Sequence, residues 1–296
     1  MPNHPEQTGF SLLELILVIV LLGILASGAG LLITTPIKAY NDQQRRTQLV
    51  DQAEMALRQI ARDIRGALPN SIRIQNVANG VTALEMVSTV AGARYRDDAD
   101  GSVGATFTGS FHTLDILQED TDFNFLGTLL SGVTEIPSGQ RLVIYSTSPT
   151  SFYADATSTG NVGIVTPASS TLTLSQNGIE QHLKIEPAFQ FTLSSPGQRS
   201  FLIDGPLSYI CDPEGLKMTR YTNYPFQSNQ PTTDDAFIGL SGLKQGTVVT
   251  QITACSINYD AGTAQRGGIV TLGLTLSDGT GEDVTLLHQV HVANVP

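Results

Sequence analysis

The carboxylate with the most unusual setting in this chain is Glu14, one position before 19 consecutive uncharged residues, 15–33, LILVIVLLGILASGAGLLI. A carboxylate costs about 2.5–3.5 kcal/mol at the centre of a membrane helix and less near an end, so it needs a cation. No Lys or Arg occurs in the first 37 residues, so the nearest positive charge would be an amino terminus. A cut between Gly9 and Phe10 would create an amine on Phe10 about one helical turn from Glu14, or able to face the Glu14 of a neighbouring copy.

Other reactive residues are few. Cys211 and Cys255 are the two cysteines. In an oxidising compartment an even pair reads as one disulfide, with two buried free thiols as the alternative. His288 and His291 form an H-x-x-H that would share a metal on a helix, but Val284, Val290 and Val292 favour a strand, where residues three apart face opposite ways. His112 and His182 read as isolated surface or core residues. Asp97, Asp98 and Asp100, then Glu119, Asp120 and Asp122, invite calcium. Neither group fits the EF-hand spacing, because Val103 and Phe125 fall where its glycine is required, so solvated acidic loops are expected. With no G-x-S-x-G, phosphate loop or H-E-x-x-H, the sequence presents no catalytic constellation, metal site or cofactor site and reads as a non-enzyme.

These residues are positioned by three dissimilar segments. As a helix, residues 15–33 span roughly 28 Å, close to a bilayer core. A cleaved signal peptide has a shorter apolar region, about 7–15 residues, and an A-x-A-like end. The helix is expected to continue as an amphipathic stem, with Leu49, Ala53, Ala56, Leu57, Ile60, Ile64 and Leu68 recurring every three or four residues. Pro36 predicts a kink and Pro69 the end. Asp42 with Arg46, and Glu54 with Arg58, are spaced as i, i+4 pairs. Beyond Pro69 the period changes to two, and strands are predicted over residues 71–74, 81–87, 141–146, 171–174, 189–193, 200–203, 208–211, 216–221, 247–259, 269–276 and 284–292. Short turns such as Asn79-Gly80, Asn177-Gly178 and Ser277-Asp278-Gly279 make neighbours antiparallel. Residues 92–109 and 154–170 read as long polar loops.

The chain has 296 residues, with 15% charged against about 25% in typical soluble domains, and no Trp. Its net charge of −11 argues against a nucleic-acid face. Charge is unevenly spread: −2 over residues 1–33, +3 over residues 34–75 and −12 over residues 76–296. The basic stem reads first as a solvated helix face, and otherwise as a docking face for an acidic partner or anionic lipid.

The run G-F-S-L-L-E, followed by the apolar segment, resembles a type IV prepilin. That resemblance implies a leader ending at Gly9, cleavage by prepilin peptidase before Phe10, N-methylation of Phe10, and pairing of Glu14 with the amine of the adjacent subunit. It implies an α+β pilin-like fold, a long N-terminal helix with an antiparallel sheet domain packed on its second half. The segments are then a leader over 1–9, a transmembrane and filament-core helix over 10–33, a stem over 34–69 and a β-rich periplasmic domain over 70–296. The leader here lacks the basic residues such leaders usually carry, so the orientation rests on the resemblance. More narrowly, Ala39-Tyr40, Arg45-Arg46, Glu54-Met55-Ala56-Leu57-Arg58, Pro69-Asn70-Ser71, Asp204-Gly205-Pro206, Cys211-Asp212, Ala254-Cys255-Ser256 and residues 286–292 are similar to the MshO-type minor pilins of mannose-sensitive haemagglutinin pili. The implied partners are other minor and major pilins, prepilin peptidase and the inner-membrane assembly platform. Two alternatives are a J-type minor pseudopilin of type II secretion, and a pilus-borne adhesin using Tyr221, Tyr224 and Phe226 for glycan contact.

Overall fold

The computed structural model describes residues 9–97, 112–262 and 267–292, leaving aside the side chains of residues 29–33 and 177. One helix, α1 (Leu12–Arg65), is 54 residues long, roughly 80 Å at about 1.5 Å per residue. The predicted stripe is realised: Leu49, Ala53, Ala56, Leu57, Ile60 and Ile64 are all buried, as is Leu68 just beyond the helix. The helix continues unbroken through Pro36, and it stops before Pro69. Gly66 ends it, donating its N–H to the carbonyls of Arg62 and Asp63, while Arg62 and Arg65 complement the negative end of the helix dipole.

The body follows in chain order as β1 (Arg73–Asn76), β2 (Thr82–Arg94), β3 (Asp120–Phe125), β4 (Arg141–Ile144), α2 (Pro149–Ala156), β5 (Val162–Gly163), β6 (Thr171–Asn177), β7 (Glu180–Phe191), β8 (Arg199–Asp212), β9 (Lys217–Thr222), β10 (Lys244–Thr250), β11 (Ile252–Asp260), β12 (Gly268–Ser277) and β13 (Asp283–Val292). The first sheet has the order β1-β2-β8-β9-β10, and β4 also pairs with β8. The second is β11-β12-β13, and the third is β3-β7-β5 with β6 on β7. All pairs are antiparallel except β5 on β7, which is parallel. The architecture is α+β, an N-terminal helix followed by antiparallel sheet.

β8 is a single strand where two were expected, because it pairs with β4 through residues 200–203 and with β9 through residues 207–212. Between them Gly205 adopts a φ of 149°, which glycine reaches without Cβ strain. Conversely, the single strand expected over residues 247–259 is two: Gln251, at a φ of 64°, sends β10 to the first sheet and β11 to the second.

The main core joins the α1 stripe to Leu84, Met86, Leu207 and Met218 of the first sheet and to Val270, Leu272, Leu274 and Val290 of the second. The third sheet packs in a second core with Leu142, Ile144 and Leu202 of the first sheet, where Phe123 meets Phe125 and Phe189 meets Phe191 edge to face. Such ring pairs favour that geometry because the positive edge of one ring meets the negative face of the next.

Candidate functional site: the N-terminal helix and its anchorage

Gly9 and Phe10 lie outside α1, in exposed non-helical backbone. A Cβ on Gly9 would meet nothing within 4 Å, so the Gly9–Phe10 bond stands clear of the body. Ser11 then caps the helix: its backbone is extended and its hydroxyl accepts the Glu14 N–H at 3.2 Å. Ser11-Leu12-Leu13-Glu14 thus makes the serine half of a capping box. Glu14 occupies the first turn, where the helix dipole favours a negative charge. Phe10 and the large apolar residues from Leu12 to Leu25 are all exposed, Phe10 at 83%. An apolar surface of this extent on an isolated chain marks a segment that is covered by lipid or protein.

Four polar contacts fix the lower half of α1 to the body. Asp63 Oδ2 accepts hydrogen bonds from the Tyr209 hydroxyl at 2.6 Å and from Arg220 Nε at 2.8 Å. Burial and the neighbouring Asp63 carboxylate raise the Tyr209 phenol, so it remains a proton donor. About five turns earlier in the helix, Arg45 Nε lies 3.2 Å from Asp278 Oδ2 and Arg46 Nη1 lies 3.3 Å from Glu282 Oε1, both acids belonging to the β12–β13 turn. Arg46 therefore pairs across to the body and not with Asp42 as its spacing predicted; Asp42 pairs with Arg45 instead. Glu54 and Arg58 pair as expected.

A second polar hub sits inside the first sheet. Fully buried Glu85 pairs with Arg73 and accepts from the Tyr224 hydroxyl at 2.9 Å, which in turn meets Ser208 at 2.7 Å. Burial raises the Glu85 carboxyl above the usual range, and Arg73 opposes that rise. Arg73 also covers the Tyr153 ring at 3.6 Å and donates to the carbonyls of Gln227 and Ser228.

The remaining sequence candidates fall as follows. Cys211 on β8 and Cys255 on β11 have their Cα atoms 6.6 Å apart and their sulfurs joined, tying the first sheet to the second. His288 and His291 lie on β13, a strand, where residues three apart face opposite ways. His112 and His182 are not isolated. Their rings meet edge to face at 4.8 Å, with His112 on Asp122 and His182 on Asn124, because β3 pairs with β7 in a register that sets Asn124 opposite His182. Burial lowers the His182 imidazole, and Asp122 opposes that. Asp98 and Asp100 lie outside the described residues. Asp120 accepts the N–H groups of Asp115 and Asp122, so this acid holds its own turn. Among the described residues no group of three His, Cys, Asp or Glu side chains is arranged to hold a metal. Tyr221 and Tyr224 are buried, stacked on or edged against Phe237, and so offer no exposed rings to a glycan.

Residues 5–30 match the family described as the prokaryotic N-terminal methylation motif. The N-terminal segment is prepilin-like. The match covers Gly9, Phe10 and Glu14 and supports a type IV pilin or pseudopilin that is processed by prepilin peptidase, anchored in the membrane and assembled with other pilins. No curated protein and no solved structure gives a match. Among the described residues no helix is long and apolar enough to cross a membrane; the uncharged run continues past Gly28 into residues 29–33, whose side chains are not described.

Proposed function

We propose that this chain is a minor pilin, a structural and non-enzymatic subunit that primes or caps assembly of a type IV pilus of the mannose-sensitive haemagglutinin kind. In this reading prepilin peptidase cuts between Gly9 and Phe10, Phe10 is N-methylated, and α1 crosses the inner membrane once with the body in the periplasm. On assembly the apolar half of α1 enters the filament core, and Glu14 pairs with the amine of the next subunit, which removes two costly charges from an apolar surrounding. The Cys211–Cys255 bond belongs to the same reading, since the periplasm is oxidising.

The observation that carries the proposal is the coincidence of the methylation motif at residues 5–30 with an exposed apolar helix that begins at Leu12, just after the cleavage point. The finer assignment rests on the stem and C-terminal fragments similar to MshO-type pilins. Deleting the gene and scoring surface pili, protein secretion and adhesion tests it. Loss of surface pili with intact secretion is the expected result; loss of secretion with normal piliation would overturn the pilus assignment in favour of a pseudopilus.

A further inference from the structure

The interior of the body holds several guanidinium groups, and most have an acid. Arg73 pairs with Glu85, Arg96 with Glu180 and Arg220 with Asp63. Arg141, on β4, is different. It is only 3% exposed, yet no carboxylate among the described residues lies within ion-pair reach. Nε donates to the Thr166 carbonyl and Nη1 to the Ala156 carbonyl at 2.6 Å, while Nη2 has no hydrogen-bond partner among the described residues. Burying a cation without an anion is costly, and leaving one of its donors unpaired adds to that. Burial lowers the guanidinium to about 10, which still leaves it charged at neutral pH.

Arg141 also lines an open cleft of about 780 Å³. Ala156, whose carbonyl holds Nη1, forms one wall, and the half-buried ring of Phe226 forms another, 5.3 Å from the guanidinium carbon. The rest of the lining is rich in small hydrogen-bonding groups, among them Ser158, Ser169 and Asn223. Asp204 is the single acid of the lining, and Gln140 Nε2 donates to it at 3.4 Å. One cation and one acid make the cleft close to neutral. That disfavours a multiply charged anion and fits a ligand carrying one negative charge among several hydroxyls.

We propose that this cleft binds a carboxylated sugar. The carboxylate meets Arg141, the hydroxyls meet Ser158, Ser169, Asn223 and Asp204, and the sugar ring lies against Phe226. Nη2 is enclosed, so binding requires the Phe226 ring, packed edge to face against Phe152 and Tyr153, to shift. This binding is independent of the assembly role and separable from it.

The test is isothermal titration of the full-length chain in detergent micelles with galacturonate, galactose and sodium sulfate. Saturable galacturonate binding roughly tenfold or more tighter than that of galactose is expected, the value of one charge-assisted hydrogen bond. Arg141→Gln should weaken it by a similar factor. Ala168→Trp, at an exposed residue of the lining, should block the cleft without disturbing the core and abolish binding. If Arg141→Gln does not fold, Ala168→Trp still decides. No saturable galacturonate binding, binding unchanged in Ala168→Trp, or sulfate bound as tightly as galacturonate would each overturn the proposal.

Discussion

Reducing Cys211 and Cys255 is expected to lower the stability of the body by about 4 kcal/mol. The figure follows from the 44-residue separation of the two cysteines and the loop-closure entropy that the bond removes from the unfolded chain. Location gives the loss its structural form. Cys211 is fully buried within the core that α1 shares with both sheets, and Cys255 is on the first strand of the second sheet, so the bond joins two layers otherwise linked by side-chain packing and by the chain at Gln251. The assay is guanidinium unfolding of the full-length chain in detergent, followed by circular dichroism, with and without reductant. Reduction should lower the midpoint and steepen the slope, because an uncrosslinked chain exposes more surface. Using the reduced protein avoids the cavity that a Cys211→Ala variant would add. A loss below about 1 kcal/mol, or two alkylatable thiols in the unreduced protein, would refute the reasoning.

Ile60→Ala removes a fully buried side chain from the α1 stripe and should cost about 2–5 kcal/mol in the same unfolding measurement, whereas a value near zero would mean the helix is not packed as described. Glu14→Val should be inserted and cleaved normally yet fail to support filaments as the sole copy; normal piliation would remove the pairing role. For Glu85 the sign follows from burial, which raises its carboxyl in the folded chain. The stability it contributes is complete below the unfolded value of 4.5 and is lost as pH rises through the folded value. Glu85→Gln cannot titrate, so the stability difference between wild type and variant should shift toward the variant on going from about pH 4 to neutrality. A difference independent of pH would show that Glu85 does not carry that burden.

The features of highest periodicity were the most legible. The α1 stripe repeats every three to four residues for five turns, so its buried positions could be named one by one, and Gly9, Phe10 and Glu14 stand out because the charge around them is so sparse. Legibility failed where tertiary pairing overrides local pattern. β7 carries Glu180, Lys184, Glu186 and Pro187, so only its last residues looked like a strand, yet it sits between β3 and β6 as the centre of the third sheet. α2 is only eight residues long and borders a segment rich in Ser, Thr and Gly, which hid the burial of Phe152, Tyr153 and Ala156. Arg46 spaced correctly for Asp42 but was claimed by Glu282, some 236 positions away, a partner no local rule can supply. The Ser11 cap was legible in principle, since S-x-x-E before an apolar run is a helix-start signature.

The bridge between β8 and β11 has a mechanical meaning as well as a thermodynamic one. A subunit held by its helix and pulled by its body is a spring whose reach is set by how much chain can pay out. With residues 211 and 255 joined, the 44-residue span between them cannot lengthen, which withholds on the order of 150 Å of slack from a stretched subunit. Load would then pass across the two sheets to the stem helix at nearly fixed length, and a reduced subunit would be the compliant link in the chain.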